Sequence, residues 1–189
     1  KVGVIGINGT GKSTLLKIMA GLETPDEGQV IQASNLMIHY LPQNPEFSEE
    51  DTVLQSVQNM VHHHANENEL IAAKAMLTRL GITDFEQKTR ELSGGQRKRL
   101  ALVSVLITPC DVLILDEPTN HLDSEMADWL ENKLQAFRGA LVMVTHDRYF
   151  LDSVTNKIIE LDKGKIYSYD EKYSGFLQRK AEREESVRA

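Results

Sequence analysis

Short apolar runs alternate along this chain with longer stretches whose apolar positions recur at helical spacing. Val2-Gly3-Val4-Ile5, Val112-Leu113-Ile114-Leu115 and Leu141-Val142-Met143-Val144 are apolar at consecutive positions, the pattern of strands covered on both faces. Helices are expected over residues 12–20, 94–107 and 124–137, the first stopping at Gly21. Pro25, Asp26 and Gly28 mark a turn-rich segment, and residues 30–41 read as one or two strands around a Ser34-Asn35 turn. The rhythm becomes helical over residues 44–91, where Leu70, Ala73, Leu77 and Leu80 share one helical face that ends at Gly81. Residues 157–161 and 165–168 flank Asp162-Lys163-Gly164, a hairpin signal. Strand, helix, strand order implies an α/β fold: a mainly parallel sheet flanked by helices, with an inserted helical lobe and a small antiparallel hairpin near the C-terminus. The division expected is a core over 1–43 and 92–170, a lobe over 44–91, and the start of a charged linker helix over 171–189.

Composition narrows the class. A chain of 189 residues with 41% hydrophobic content can bury a sizeable core without a disulfide or metal staple. The single Cys110 excludes an internal disulfide and reads as a small buried hydrophobe in a reducing compartment, which favours the cytoplasm. No apolar run approaches the ~20 residues that span a bilayer, so no membrane insertion of its own is expected. A net charge of -7 argues against whole-surface attraction to nucleic acid, while leaving room for a local basic face. The chain opens on Lys1, directly before its first strand, and therefore reads as a piece of something longer. No aromatic platform for a nucleotide base precedes that strand, so base recognition is unaccounted for.

The strongest chemical signal is Gly6-Ile7-Asn8-Gly9-Thr10-Gly11-Lys12-Ser13, which fits G-x-x-x-x-G-K-[ST] directly after an apolar strand. Glycines let backbone N–H groups close on an anion, and a helix opened at Lys12 adds its positive dipole end. Lys12 can reach β- and γ-phosphates, and Ser13 offers Mg²⁺ a hard oxygen ligand. A chance glycine-rich turn is the bland alternative; the strand before and the Lys-Ser pair weigh against it.

Four further features carry chemistry. The apolar strand before Asp116-Glu117 delivers two acids at its carboxyl edge, one suited to Mg²⁺ and the next to polarising a water. Ser93-Gly94-Gly95-Gln96 sets an N-cap and two glycines at a helix start, a second phosphate-reading surface. Gln43 follows a strand and opens the helical lobe, where its amide can meet Mg²⁺ or the attacking water. His146 ends another strand, placed to donate to a γ-phosphate. Alone, Gln43 would be a surface glutamine and His146 a structural histidine.

Taken in order, the phosphate loop, Gln43, Leu92-Ser93-Gly94-Gly95-Gln96, Asp116-Glu117, Leu122-Asp123 and His146 resemble the ATP-binding cassette (ABC) ATPases, P-loop proteins, over residues 1–168. Pro118-Thr119-Asn120-His121-Leu122-Asp123 and the run from Thr145 to Asp152 are similar to the ABC-F family, whose members carry two cassettes in tandem. The resemblance implies an ATPase whose cassettes close head to tail around ATP and Mg²⁺, with the ribosome as partner by family analogy. It implies that Asn8, Gly9, Thr10, Gly11, Lys12, Ser13 and Thr14 hold the phosphates, and that Ser13, Gln43 and Asp116 surround Mg²⁺. Glu117 and His146 would act at the γ-phosphate. Ser93, Gly94, Gly95 and Gln96 would serve the partner's nucleotide, and Asp123 would join the two sites. The charged run 178–189 resembles the linker leaving a first cassette, with a frayed C-terminal helix as the other reading, and the short 44–91 stretch lacks room for a long inserted arm, which suits a Uup-like branch. Two other readings stay open: the motor subunit of an ABC membrane transporter, and a segment that binds ATP without turnover. His62-His63-His64 reads as a solvated helix end, and Trp129 and Leu130 as residues packed on the sheet.

Overall fold

The computed structural model describes residues 1–60 and 65–189. Its elements are β1 (Val2–Ile5), α1 (Lys12–Met19), β2 (Ile38–Leu41), α2 (Val53–Met60), α3 (Glu67–Arg79), α4 (Gly94–Leu106) and β3 (Val112–Asp116). They continue with α5 (Ser124–Ala136), β4 (Ala140–Val144), α6 (Arg148–Val154), β5 (Lys157–Asp162), β6 (Lys165–Tyr169) and α7 (Tyr173–Arg188). One sheet runs in the order β2-β3-β4-β1-β5-β6. All neighbours are parallel except the β5–β6 hairpin.

The consecutive apolar residues of the strands follow from helices on both faces. Leu113 and Leu115 join one cluster with Leu100, Val103, Leu130 and Leu134. Ile114 between them points the other way, to Leu16, Val4, Val142 and Val144. Register then decides where the chemistry lies. Val4 pairs with Val144, and Val144 with Asp116, so the carboxyl ends of β1, β4 and β3 stop side by side. Leu41 at the end of β2 pairs with Leu115. The phosphate loop, Asp116-Glu117, His146 and Gln43 all leave the sheet at that one edge.

Between β2 and α4, helices α2 and α3 pack on α4. Ala73, Leu77 and Leu80 are fully buried on the expected face, and Gly81 ends it with φ 80°.

Several expectations need correction. Only Ile38–Leu41 forms a strand within 30–41; Val30 and Ile31 are 51% and 84% exposed, because β-branched residues form a strand only where a neighbouring strand pairs with them. No helix is expected over 148–154, where α6 forms, while α7 starts at Tyr173, inside the 171–189 span expected for the charged linker helix. Trp129 packs against the core and Leu130 is fully buried. Cys110 is half-buried rather than enclosed, and burial still pushes its thiol up to about 11. The His62-His63-His64 run lies outside the described residues.

Candidate functional site

The loop between β1 and α1 bends through Gly9 at φ 86° and Gly11 at φ 90°, a region that strains any side-chain-bearing residue. Gly11 is the N-cap of α1 and offers no side chain to it, so the first-turn N–H groups remain available to an anion. Gly6 is glycine for space: a Cβ there would stand 2.8 Å from the Leu161 carbonyl. Lys12 Nζ donates to the carbonyls of Gly6 at 2.5 Å and Ile7 at 3.1 Å, folding the cation back over its own loop. Thr10 Oγ1 likewise donates to the Ile7 carbonyl at 2.8 Å.

The acids of β3 meet this loop. Ser13 Oγ donates to Asp116 Oδ2 at 2.7 Å. Asp116 is only 1% exposed, and its other oxygen, Oδ1, is buried without a hydrogen-bond partner. A hydroxyl and a buried, half-satisfied carboxylate are hard oxygen donors, the set Mg²⁺ takes when phosphate and water complete its shell. Among the described residues no group of three His, Cys, Asp or Glu side chains is placed to hold a metal by itself.

Glu117 sits at φ 53°, its N–H donating to the Val144 carbonyl at 2.7 Å. This bond ties the end of β3 to the end of β4 and turns the carboxylate into the cleft. His146 Nε2 lies 3.1 Å from Glu117 Oε1, and the His146 N–H donates to Oε2 at 3.3 Å. Burial raises the Glu117 pKa above the ordinary carboxylate value, and the adjacent imidazole acts against that rise. The buried Thr145 hydroxyl, 3.0 Å from Thr119 Oγ1, accepts from the Asp147 N–H at 3.1 Å and fixes the turn that presents His146.

Asn8, Gly9, Gly11, Lys12, Ser13, Thr14, Gln43, Asp116, Glu117 and His146 line a single cleft of about 400 Å³, together with Val144. Thr10 does not line it. Ser93, Gly94, Gly95, Gln96 and Asp123 do not line it either. Ser93 and Gln96 complete a capping box on α4, with Ser93 Oγ accepting from the Gln96 N–H at 3.2 Å and Gln96 Oε1 from the Ser93 N–H at 3.0 Å. Asp123 caps α5 by accepting from the Met126 N–H at 2.8 Å.

Lys98 was missed by sequence reasoning. It is 4% exposed, and its ammonium donates to the carbonyls of Pro42, Gln43 and Asp116. Burial depresses its pKa to about 8, against the pull of Asp116 and Glu117. The available signal was its place on the buried stripe of Ala101, Leu102 and Val105.

A parallel sheet with a glycine-rich phosphate loop and strand-end acids at its carboxyl edge is the P-loop nucleotide-binding fold. The family profile described as ABC transporter matches residues 1–120, and the chain belongs to the ATP-binding cassette family. It is 41% identical to the "Uncharacterized ABC transporter ATP-binding protein YfmR" of Bacillus subtilis (strain 168), over 97% of this chain and 35% of that protein. It is 37% identical to the "Energy-dependent translational throttle protein EttA" of Escherichia coli (strain K12), over 97% of this chain and 40% of that one. EttA is an ABC-F protein, in agreement with the resemblance carried by residues 118–123 and 145–152. Among solved structures, the "Model of ribosome-bound archaeal Pelota and ABCE1" matches at TM-score 0.69 and 30% identity, over 84% of this chain and 27% of that one. The chain thus spans between 35% and 40% of the length of the two curated relatives. No helix among the described residues is long and apolar enough to cross a membrane.

Proposed function

We propose that this cassette binds ATP with Mg²⁺ in the cleft at the end of β1, β3 and β4 and hydrolyses it there, as one half of an ABC-F ATPase that acts on the ribosome in the cytoplasm. The observation that carries the chemistry is the buried Glu117 facing His146, beside an Asp116 with one unpartnered oxygen, all at the mouth of the phosphate loop. The ribosome reading is supported by the EttA relative, named as a translational throttle, and by a ribosome-bound structural neighbour.

In this reading Lys12 exchanges the Gly6 and Ile7 carbonyls for β/γ-phosphate oxygens, and Asn8, Gly9, Gly11 and Thr14 close around the triphosphate. Ser13, Gln43 and Asp116 hold Mg²⁺, which neutralises phosphate charge when bound. Glu117, its proton affinity raised by burial, accepts a proton from the water that attacks the γ-phosphorus, while ADP departs. His146 turns from Glu117 to the γ-phosphate as that charge develops. Ser93, Gly94, Gly95 and Gln96 receive the triphosphate of a second cassette, and Asp123 lies at the junction. Association with that second cassette completes both sites.

Phosphate release by the natural full-length protein, with and without ribosomes, tests this. Turnover that needs Mg²⁺ and responds to ribosomes is expected. Absence of ribosome association, with copurification of a membrane-spanning subunit instead, would replace the translational reading by the transporter one.

A further inference from the structure

Lys98 places a cation where α4 otherwise buries only apolar side chains and Ser104, and an ammonium removed from water is costly unless every N–H finds an acceptor. Here all three do: the Pro42 carbonyl at 2.8 Å, the Gln43 carbonyl at 3.1 Å and the Asp116 carbonyl at 2.8 Å. These acceptors come from two different segments. β2 ends at Leu41, Pro42 has no N–H to continue the ladder, and the chain turns away from β3 at this point. The carbonyls of Pro42 and Gln43 on one side, and of Asp116 on the other, are therefore gathered at the sheet edge by a single side chain reaching from α4.

Both residues so gathered line the cleft together with Ser13: Gln43 on the exposed loop, and Asp116 with its unpartnered Oδ1. The Lys98 ammonium touches neither side chain. It holds the backbone from which each projects.

We propose that Lys98 is a positioning residue for the cation–nucleotide site, holding the Gln43 and Asp116 backbones at the separation that lets both side chains serve one Mg²⁺. The proposal rests on the reading of the cleft as a Mg²⁺–ATP site. An outer partner of this kind is worth about 10- to 100-fold in metal affinity. A glutamine here would retain only two donors, a methionine none, and an arginine would keep both charge and donors.

The test is nucleotide binding, not turnover: calorimetric titration of the natural full-length protein with a non-hydrolysable ATP analogue, in EDTA and across a Mg²⁺ series. For Lys98→Met the Mg²⁺ concentration giving half of the affinity gain is expected to rise about tenfold or more, while affinity in EDTA stays within about twofold. Lys98→Gln falls between, and Lys98→Arg restores most of the response. Should Lys98→Met fail to fold, the Gln and Arg variants carry the comparison. A wild-type Mg²⁺ response in folded Lys98→Met or Lys98→Gln overturns the proposal alone, as does an equal loss of affinity with and without Mg²⁺. A wild-type protein whose affinity ignores Mg²⁺ overturns the reading of the cleft, and the role of Lys98 with it.

Discussion

Glu117 and Glu160 are both buried glutamates near the carboxyl edge of the sheet, with side chains 5% and 4% exposed, yet their surroundings are opposite. Glu160 on β5 is neutralised from within the chain. Lys180 Nζ reaches Oε2 at 2.6 Å and Arg183 reaches Oε1 at 3.1 Å, both from α7. Arg183 also donates to the Tyr169 hydroxyl and stacks 3.7 Å from the centre of the Tyr167 ring. The hydrogen bond to Glu160 is the main reason the Lys180 pKa is raised. Among the described residues the ion-pair partner of Glu117 is a 69%-exposed imidazole, and another buried acid stands beside it. The nearby cations Lys12 and Lys98 are spent on backbone carbonyls. A carboxylate that the fold pairs completely anchors an element, whereas a pair of acids left short of positive charge fits the proposed Mg²⁺ site.

The sharpest way to break this contrast is Glu117→Gln. Removing a general base costs about 10²- to 10⁴-fold in rate, so phosphate release should nearly vanish while ATP affinity is kept, and gel filtration with ATP should reveal an accumulated closed pair of cassettes. The acid limb of the wild-type rate profile should lie above pH 4.5, because burial raises the Glu117 pKa and only its deprotonated form accepts a proton. Unchanged turnover in Glu117→Gln would remove this residue from the chemistry.

Lys12→Ala comes next in size. Its ammonium donates to two loop carbonyls of its own turn, so its loss is expected to leave the fold intact and to be felt on binding. A hydrogen bond to a charged group contributes about 1.5–3 kcal/mol, which corresponds to roughly 10- to 150-fold weaker ATP binding by calorimetry. Equal affinity would mean that the cation stays folded on its own loop.

The contrast also explains what the sequence disclosed. The phosphate loop was readable because eight consecutive residues carry it, and Asp116-Glu117 because an uninterrupted apolar strand leads to two acids. His146 and Gln43 were readable only as strand-end residues within that set. Lys98 was hidden because its acceptors are backbone carbonyls, one 56 residues earlier and another 18 residues later, and a backbone contact leaves no pattern in residue identity. Glu160 carries no signal beyond its place in the 157–161 run, since its cations arrive 20 and 23 residues later on a charged helix. Helix α6 is only seven residues long, too short to display a period. Val30 and Ile31 show the reverse error, where strand-forming side chains stand without a paired neighbour.

Glu160→Gln gives the smallest expected effect and tests the other half of the contrast. Breaking a buried pair can cost about 3–5 kcal/mol, but Lys180 and Arg183 are 35% and 24% exposed and can regain water, so about 1–2 kcal/mol is expected. That loss should appear locally, as roughly 5- to 30-fold faster hydrogen exchange in α7, because the bond joins α7 to β5. Turnover should stay within about twofold of wild type, since neither cation reaches Asp116 or Glu117. If Glu160→Gln instead slowed phosphate release as severely as Glu117→Gln, the complete pairing around Glu160 would no longer mark it as an anchor, and α7 would have to be counted as part of the hydrolytic machinery.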